Sequence, residues 1–169
     1  ASPVDAQAAA GARRTPVVQV VERVAPAVVN ISAESTVRAA DPFFGGILGG
    51  RTRRAQSLGS GLIVDGQGLV VTNAHVIEGA SRVLVTTLDG RELEADVLGA
   101  DRDADLAVLK VQAKGLPAMP LGRNADLLMG ETVIAIGNPF GLDGTMTVGI
   151  VSSIGRTLES FRQVSSGAY

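Results

Sequence analysis

The sequence predicts an all-β fold with one complete β-barrel, a second barrel that is only begun, and a short N-terminal helix. Three observations support this prediction. About six stretches rich in β-branched residues, joined by short connections, lie within residues 28–111, which is enough for a small closed barrel. Only two such stretches follow residue 130, and two strands cannot close a sheet. The chain is 46% hydrophobic but only 3% aromatic, so aliphatic side chains must form the core.

Composition also narrows the classes of function. The formal charge of the 169 residues is -2, which gives no general attraction to nucleic acid or to anionic membranes. The basic run at residues 51–54 is therefore interpreted as a solvated loop segment and not as a phosphate site. The chain has no cysteine, which excludes disulfides, thiolate nucleophiles and cysteine-ligated zinc. No stretch is apolar for long enough to span a membrane.

The N-terminal region is predicted to contain a leader and then a helix. Residues 1–15 are rich in Ala and Gly and lack the apolar core of a signal peptide, so we interpret them as a disordered leader or as the remnant of a removed signal. A short amphipathic helix is expected to start at Pro16, because valines recur with helical spacing up to Val24. Pro26 should end this helix.

The barrel is predicted to occupy residues 16–112 together with the helix. Its first strand is expected at residues 28–35, followed by a mobile, glycine-rich loop at residues 37–57 with Phe43 and Phe44 at its tip. Two hairpins follow, one turning at residues 65–68 and the other at residues 89–90. A last strand is expected at residues 105–111.

The second unit is predicted to be the incomplete start of another barrel at residues 131–169, after an inter-barrel linker at residues 113–130. Its two strands are expected at residues 131–137 and 145–155. Unpaired strand edges favour pairing with another chain, so oligomers or strand exchange between copies are expected.

Acidic residues alternate along the segment DRDADLAVLKV. Asp101, Asp103 and Asp105 resemble the start of an EF-hand loop, but Leu106 and Gln112 stand where that loop needs Gly and Glu. Asp101 and Asp103 are therefore interpreted as turn carboxylates. Asp105 differs because it opens an apolar run, where a carboxylate needs a partner.

His75, in VTNAHVIEG, is the only histidine of the chain. A lone histidine is more often structural than catalytic. However, a histidine at the end of one strand and an aspartate at the start of another strand of the same sheet suit a general base and its orienting carboxylate. His75 and Asp105 are therefore the candidate catalytic residues.

In this order and spacing, TNAHVI and DADLAVLKV resemble the His and Asp boxes of the HtrA/Deg family of trypsin-like serine proteases. GSGLIVDGQGLVVTNAHVI and AIGNPFGLDGTMTVGIVSSIGR resemble further segments of that family, and the likeness extends over residues 16–156. The resemblance implies a trypsin-like double β-barrel with the active site between the barrels. It also implies that His75 is the general base, that Asp105 orients it, and that residues 72–74 position the histidine.

The family's catalytic serine lies in a G-N-S-G-G box, and the 169 residues contain no such box. Five serines are possible replacements, and each has a context typical of a structural residue: Ser60, Ser152, Ser153, Ser165 and Ser166. We therefore expect that this chain alone does not hydrolyse peptides, since both the nucleophile and the oxyanion donors are missing from it. The alternative is a non-enzymatic binding or scaffold protein that has lost the nucleophile.

The resemblance has further implications for partners and location. It implies an ATP-independent serine endopeptidase of protein quality control that acts on unfolded or misfolded proteins. It also implies an exported bacterial protein of the periplasm or cell envelope, trimeric, with PDZ domains after the protease domain. No metal and no organic cofactor is expected, because the catalytic triad performs acyl transfer unaided.

Overall fold

The computed structural model describes residues 13–38, 52–137 and 145–155. Most of the predicted leader, the loop tip with Phe43 and Phe44, and the tail with Ser165 and Ser166 lie outside these residues. Six strands form a closed, antiparallel barrel in the order β1-β2-β3-β6-β5-β4. They are β1 (Val28–Arg38), β2 (Thr52–Asp65), β3 (Leu69–Thr72), β4 (Arg82–Thr86), β5 (Glu92–Asp101) and β6 (Leu106–Val111).

The structure gives the bounds of two α-helices near the barrel. The helix α1 (Pro16–Val24) begins where predicted, with Pro16 in its first turn and the Thr15 hydroxyl accepting a hydrogen bond from the Val18 N–H at 3.4 Å. A 3₁₀ turn (Ala25–Ala27), which contains Pro26, ends α1 and leads into β1. A second helix, α2 (Ala74–Ile77), follows β3 directly and was not predicted from the sequence. No helix among the described residues is long and apolar enough to cross a membrane.

The core fills the interior of the barrel with aliphatic side chains. Alternate residues of each strand point inward, as Val83 and Val85 do in β4, because successive side chains of a strand face opposite sides. The prediction of an aliphatic core is confirmed. The largest side chains with less than 2% exposure are Ile31, Ile63, Leu109, Val29, Val70, Val85 and Val111.

Both predicted hairpin turns are present. In the β2–β3 turn the Gly68 N–H donates to the Asp65 carbonyl at 3.0 Å, and the Gln67 N–H donates to the Asp65 carboxylate at 2.7 Å. Gly68 has a φ of 96°, a conformation that glycine adopts without steric cost. In the β4–β5 turn the Gly90 N–H donates to the Thr87 carbonyl at 2.9 Å.

Several element boundaries predicted from the sequence are wrong. The predicted loop at residues 37–57 is wrong at both ends, since β1 continues to Arg38, which pairs with Thr52 at the start of β2. Backbone hydrogen bonds between two strands do not depend on side-chain type, so the pairing runs on past the apolar residues. Ser152 and Ser153 lie beyond the last strand and not within it.

In the described part of the chain the second sheet has two strands, β7 (Thr132–Gly137) and β8 (Thr145–Ile150). The described residues divide into two compact units. One contains the barrel, with the described residues up to 120 and those within 136–145, and the other contains residues 121–135 and 146–155. The predicted fold class is confirmed: one closed barrel, a second sheet only begun and a short N-terminal helix. The predicted domain boundaries stay a prediction.

Replacing Leu109 by Ala should lower the free energy of unfolding by about 2–5 kcal/mol, because the substitution opens a cavity in a closed core. The Leu109 side chain is 0% exposed. Urea unfolding of both variants by circular dichroism measures the effect. The matched control is Leu98→Ala on β5, where the side chain is 60% exposed, and the change should stay within about 0.5 kcal/mol. Equal losses in the two variants would contradict this view of the core.

Candidate active site

His75 is held at the mouth of the barrel by the short helix α2. Thr72, the last residue of β3, is buried, and its hydroxyl donates to the Ser60 carbonyl at 2.7 Å. Within α2, Val76 and Ile77 are buried in the core, whereas 68% of the His75 side chain is exposed. The helix is thus anchored by its apolar residues and presents the imidazole to solvent.

Gly59 of β2 allows α2 to lie close to the barrel. A Cβ atom at this position would meet Val76 Cγ2 at 2.6 Å and Val76 Cγ1 at 2.8 Å. Valine is branched at Cβ and has little freedom to move aside. The glycine at residue 59 therefore sets the distance between β2 and the helix that carries His75.

Asp105 immediately precedes β6, after a tight turn. Its N–H donates to the Arg102 carbonyl at 3.3 Å, and its φ is 51°. Among the described residues it is the one non-glycine residue with a positive φ. A left-handed backbone is uncommon outside glycine, although Asp and Asn tolerate it better than most residues.

Asp105 and His75 meet because β3 and β6 are antiparallel neighbours. The His75 Nδ1 lies 2.7 Å from the Asp105 Oδ2, and the His75 backbone N–H donates to the Asp105 Oδ1 at 3.0 Å. The Asn73 side-chain amide donates to both the Oδ2 of Asp105, at 3.2 Å, and its carbonyl oxygen, at 3.1 Å. The two candidate residues are thus brought together as the sequence predicted.

These hydrogen bonds lower the pKa of Asp105. The largest cause is the bond from the His75 backbone N–H, followed by the bond from the His75 side chain. Each of these bonds stabilises the ionised carboxylate. A carboxylate can only accept, so the neutral imidazole must carry its proton on Nδ1 and leave a lone pair on Nε2. The arrangement can therefore take up a proton at Nε2.

The remaining acidic candidates have a structural arrangement. The Asp101 carboxylate accepts from the backbone N–H groups of Asp103 and Ala104, at 2.9 and 3.0 Å, which is the geometry of a turn. In the part of the chain that the structure describes, no group of three or more His, Cys, Asp or Glu residues is placed to hold a metal ion. A cavity of about 260 Å³ lies elsewhere on the barrel unit, lined by Pro26, Leu88 and Pro117 among others.

Sequence reasoning missed part of this geometry. Residues 72–74 were expected to position the histidine, but the contact of the Asn73 side chain with Asp105 was not foreseen. The salt bridge of 3.0 Å between Glu78 and Arg102, which links the end of α2 to the turn before Asp105, was also not foreseen. No local pattern marks either contact, because each joins segments that are distant in the chain.

Comparison with known proteins shows consistent similarities. The family of the trypsin-like peptidase domain matches residues 59–168. A probable periplasmic serine endoprotease, DegP-like, of Halomonas elongata is 45% identical in an alignment of 164 residues. The match covers 82% of this chain and 35% of that protein. The putative serine protease HhoA of Synechocystis is 45% identical over 151 residues, covering 81% of this chain and 38% of that protein. The chain thus spans little more than a third of the length of these curated relatives.

A solved structure is also similar to this chain. The HtrA-type protease AlgW with a decapeptide superposes with a TM-score of 0.70 at 41% sequence identity. The match covers 85% of this chain and 47% of that chain. Because both the fold and the sequence agree, the barrel described above is of the trypsin-like type.

Replacing Asp105 by Asn should remove part of the pH dependence of stability. The pKa of Asp105 is lower in the folded than in the unfolded state, so its ionised form stabilises the fold above the unfolded-state pKa. This contribution is lost as the pH falls through the lowered folded-state pKa. The difference in unfolding free energy between wild type and Asp105→Asn should therefore shrink as the pH falls from about 5 towards 2, as urea titrations would show. Asp103→Asn is the matched control, and a difference that stays constant with pH would contradict the expectation.

Proposed function

Because the chain belongs to the HtrA group of trypsin-like peptidases, we propose that it supplies the general base and the orienting carboxylate of an ATP-independent serine endopeptidase. His75 is the base, and Asp105 orients it. The observation that carries this proposal is the distance of 2.7 Å between the His75 Nδ1 and the Asp105 Oδ2. It is supported by the exposure of the imidazole, which lets a second reacting group approach Nε2.

The proposed chemistry is acyl transfer. The His75 Nε2 takes the proton of a serine hydroxyl while the serine oxygen forms a bond to the carbonyl carbon of the peptide. The π electrons of that carbonyl group move to its oxygen. When the intermediate collapses, the C–N bond breaks and the imidazolium gives the proton to the leaving amine. Water then attacks the ester that links the acyl group to the serine, and His75 Nε2 takes a proton from that water. The ester bond breaks, the serine oxygen takes the proton back, and the carboxylic acid is released. Asp105 stays ionised throughout and stabilises the imidazolium.

The nucleophile of this proposal is not among the 169 residues. Ser60, the one possible replacement within the barrel strands, lies on β2 and its carbonyl accepts from Thr72. The resemblance places the proposed serine and its oxyanion donors in a G-N-S-G-G box, which the 169 residues lack. The chain of 169 residues alone should hold the imidazole and carboxylate in place without cleaving peptides.

Unfolded or misfolded polypeptides are the proposed substrates, in protein quality control. Support comes from the decapeptide in the similar AlgW structure and from relatives that are called serine endoproteases. The relative of Halomonas elongata is called periplasmic, which supports a location in the periplasm or cell envelope for this protein too. Neither nucleic acid nor a resident cofactor has a part in the proposed chemistry.

We further propose that copies of the chain associate, as trimers or by strand exchange. The apolar side chains of Met146, Val148 and Ile150 alternate along β8, so they share one face of the strand, and each is exposed. An exposed apolar strand favours association with another chain. Size-exclusion chromatography with light scattering should show oligomers, and replacing Val148 and Ile150 by Ser should shift them to monomer. A monomeric wild-type chain would contradict this proposal.

In the full-length gene product, His75→Ala should lower kcat/KM on an unfolded protein such as casein by about 10⁴-fold or more, since the base is lost. Asp105→Asn should cost about 10⁴-fold, because the carboxamide favours the wrong imidazole tautomer. Release of labelled peptides measures both effects. Asp103→Asn, an exposed change two residues from Asp105, is the matched control and should retain wild-type activity.

Two outcomes would contradict the proposal. One is cleavage by the isolated 169-residue chain that His75→Ala abolishes, which would place the nucleophile within these residues. The other is an inactive full-length product whose G-N-S-G-G serine is replaced, which would favour the alternative of a non-enzymatic binding or scaffold protein.

A further inference from the structure

Asn73 occupies the position before α2 where an asparagine usually caps a helix. A capping side chain accepts a hydrogen bond from the second or third N–H of the helix. Here the Asn73 side chain makes no such bond, and the Val76 N–H donates to the Asn73 backbone carbonyl at 3.2 Å instead. The side chain is therefore directed elsewhere.

The Asn73 amide is directed at two acceptors of one residue. Its nitrogen donates to the carbonyl oxygen of Asp105 at 3.1 Å and to Oδ2 of Asp105 at 3.2 Å. Since both partners only accept, the nitrogen and not the oxygen of the amide must face them, and its two hydrogens serve one acceptor each. One side chain thus holds both the backbone and the carboxylate of Asp105.

This double contact occurs where the backbone needs support. Asp105 is the one non-glycine residue with a positive φ among residues 13–38, 52–137 and 145–155. Such a conformation persists when surrounding contacts hold it in place. The oxygen that Asn73 contacts, Oδ2, is also the oxygen that lies 2.7 Å from the His75 Nδ1.

We infer that Asn73 is the positioning residue of the His75–Asp105 pair, because its amide holds the left-handed backbone of Asp105 and the carboxylate oxygen that selects the imidazole tautomer. The inference rests on the proposed function, since it assigns Asn73 a role in keeping His75 Nε2 free to act as a base. It also places the action of Asn73 on the aspartate and not on the histidine.

The tautomer of His75 provides a direct test in the 169-residue chain. Because His75 is the only histidine, a long-range ¹H–¹⁵N spectrum of labelled protein contains the ring nitrogens of one residue. At a pH where the ring is neutral, the wild type should show a protonated Nδ1 and an unprotonated Nε2. In Asn73→Ala the ratio of the Nδ1–H to the Nε2–H form should fall about five- to tenfold, the effect expected from the loss of one hydrogen bond.

Two further variants complete the experiment. Asn73→Leu keeps the branching of asparagine at Cγ without its donors and should lower the ratio as much as Asn73→Ala. Gln67→Ala removes a side-chain amide from the exposed turn at the other end of β3 and should leave the ratio at the wild-type value. Backbone amide spectra report whether each variant retains the fold of the barrel.

The possible results separate the two proposals. A wild-type ring that is not Nδ1–H would contradict the proposed function itself. A wild-type Nδ1–H ring that keeps its ratio in both folded Asn73 variants would overturn the inference and leave the proposed function standing. Unfolding of both Asn73 variants would also overturn it, since Asn73 would then support the barrel and not the pair.

Discussion

The antiparallel pairing of β3 with β6 is the constraint on which the candidate site depends. Thr72 at the end of β3 lies opposite Ala107 near the start of β6, so the residues that follow one strand and precede the other meet at one end of the barrel. This brings His75 and Asp105 into contact although they are distant in the chain. The barrel is closed, and a slip of one residue would turn buried aliphatic side chains out of the core. The packing of the core therefore fixes the geometry of the pair.

Stability and chemistry are carried by different side chains of the same elements. In α2, the buried Val76 and Ile77 hold the helix in place, whereas His75 is exposed. Both members of the His75–Asp105 pair face solvent, and exposed ion pairs contribute little to stability. In the proposed mechanism, the hydrogen bonds on the Asp105 carboxylate orient the imidazole and keep the carboxylate ionised. The proposed acyl transfer requires a proton acceptor that is held in one orientation.

Local patterns predicted those parts of the fold that local chemistry controls. The valine spacing after Pro16 and the proline at residue 26 predicted α1, and the glycine-containing turns predicted both hairpins. The pairing of β1 with β2 as far as Arg38 was missed, because it depends on backbone contacts across the sheet. The short helix α2 was missed for a related reason: only four residues form it, and burial of its apolar side chains holds it against the barrel.

The sequence by itself determined the fold class and the two candidate residues. About six stretches rich in β-branched residues, joined by short connections, predicted a closed sheet. A histidine and an aspartate at strand ends, in motifs that resemble HtrA/Deg boxes, indicate a base and its carboxylate. Only the tertiary structure decided how the pair is held: the left-handed backbone of Asp105, the diversion of Asn73 from its helix to that residue, and the approach of α2 over Gly59. These features arise where segments distant in the chain meet, and local propensity carries no information about such contacts.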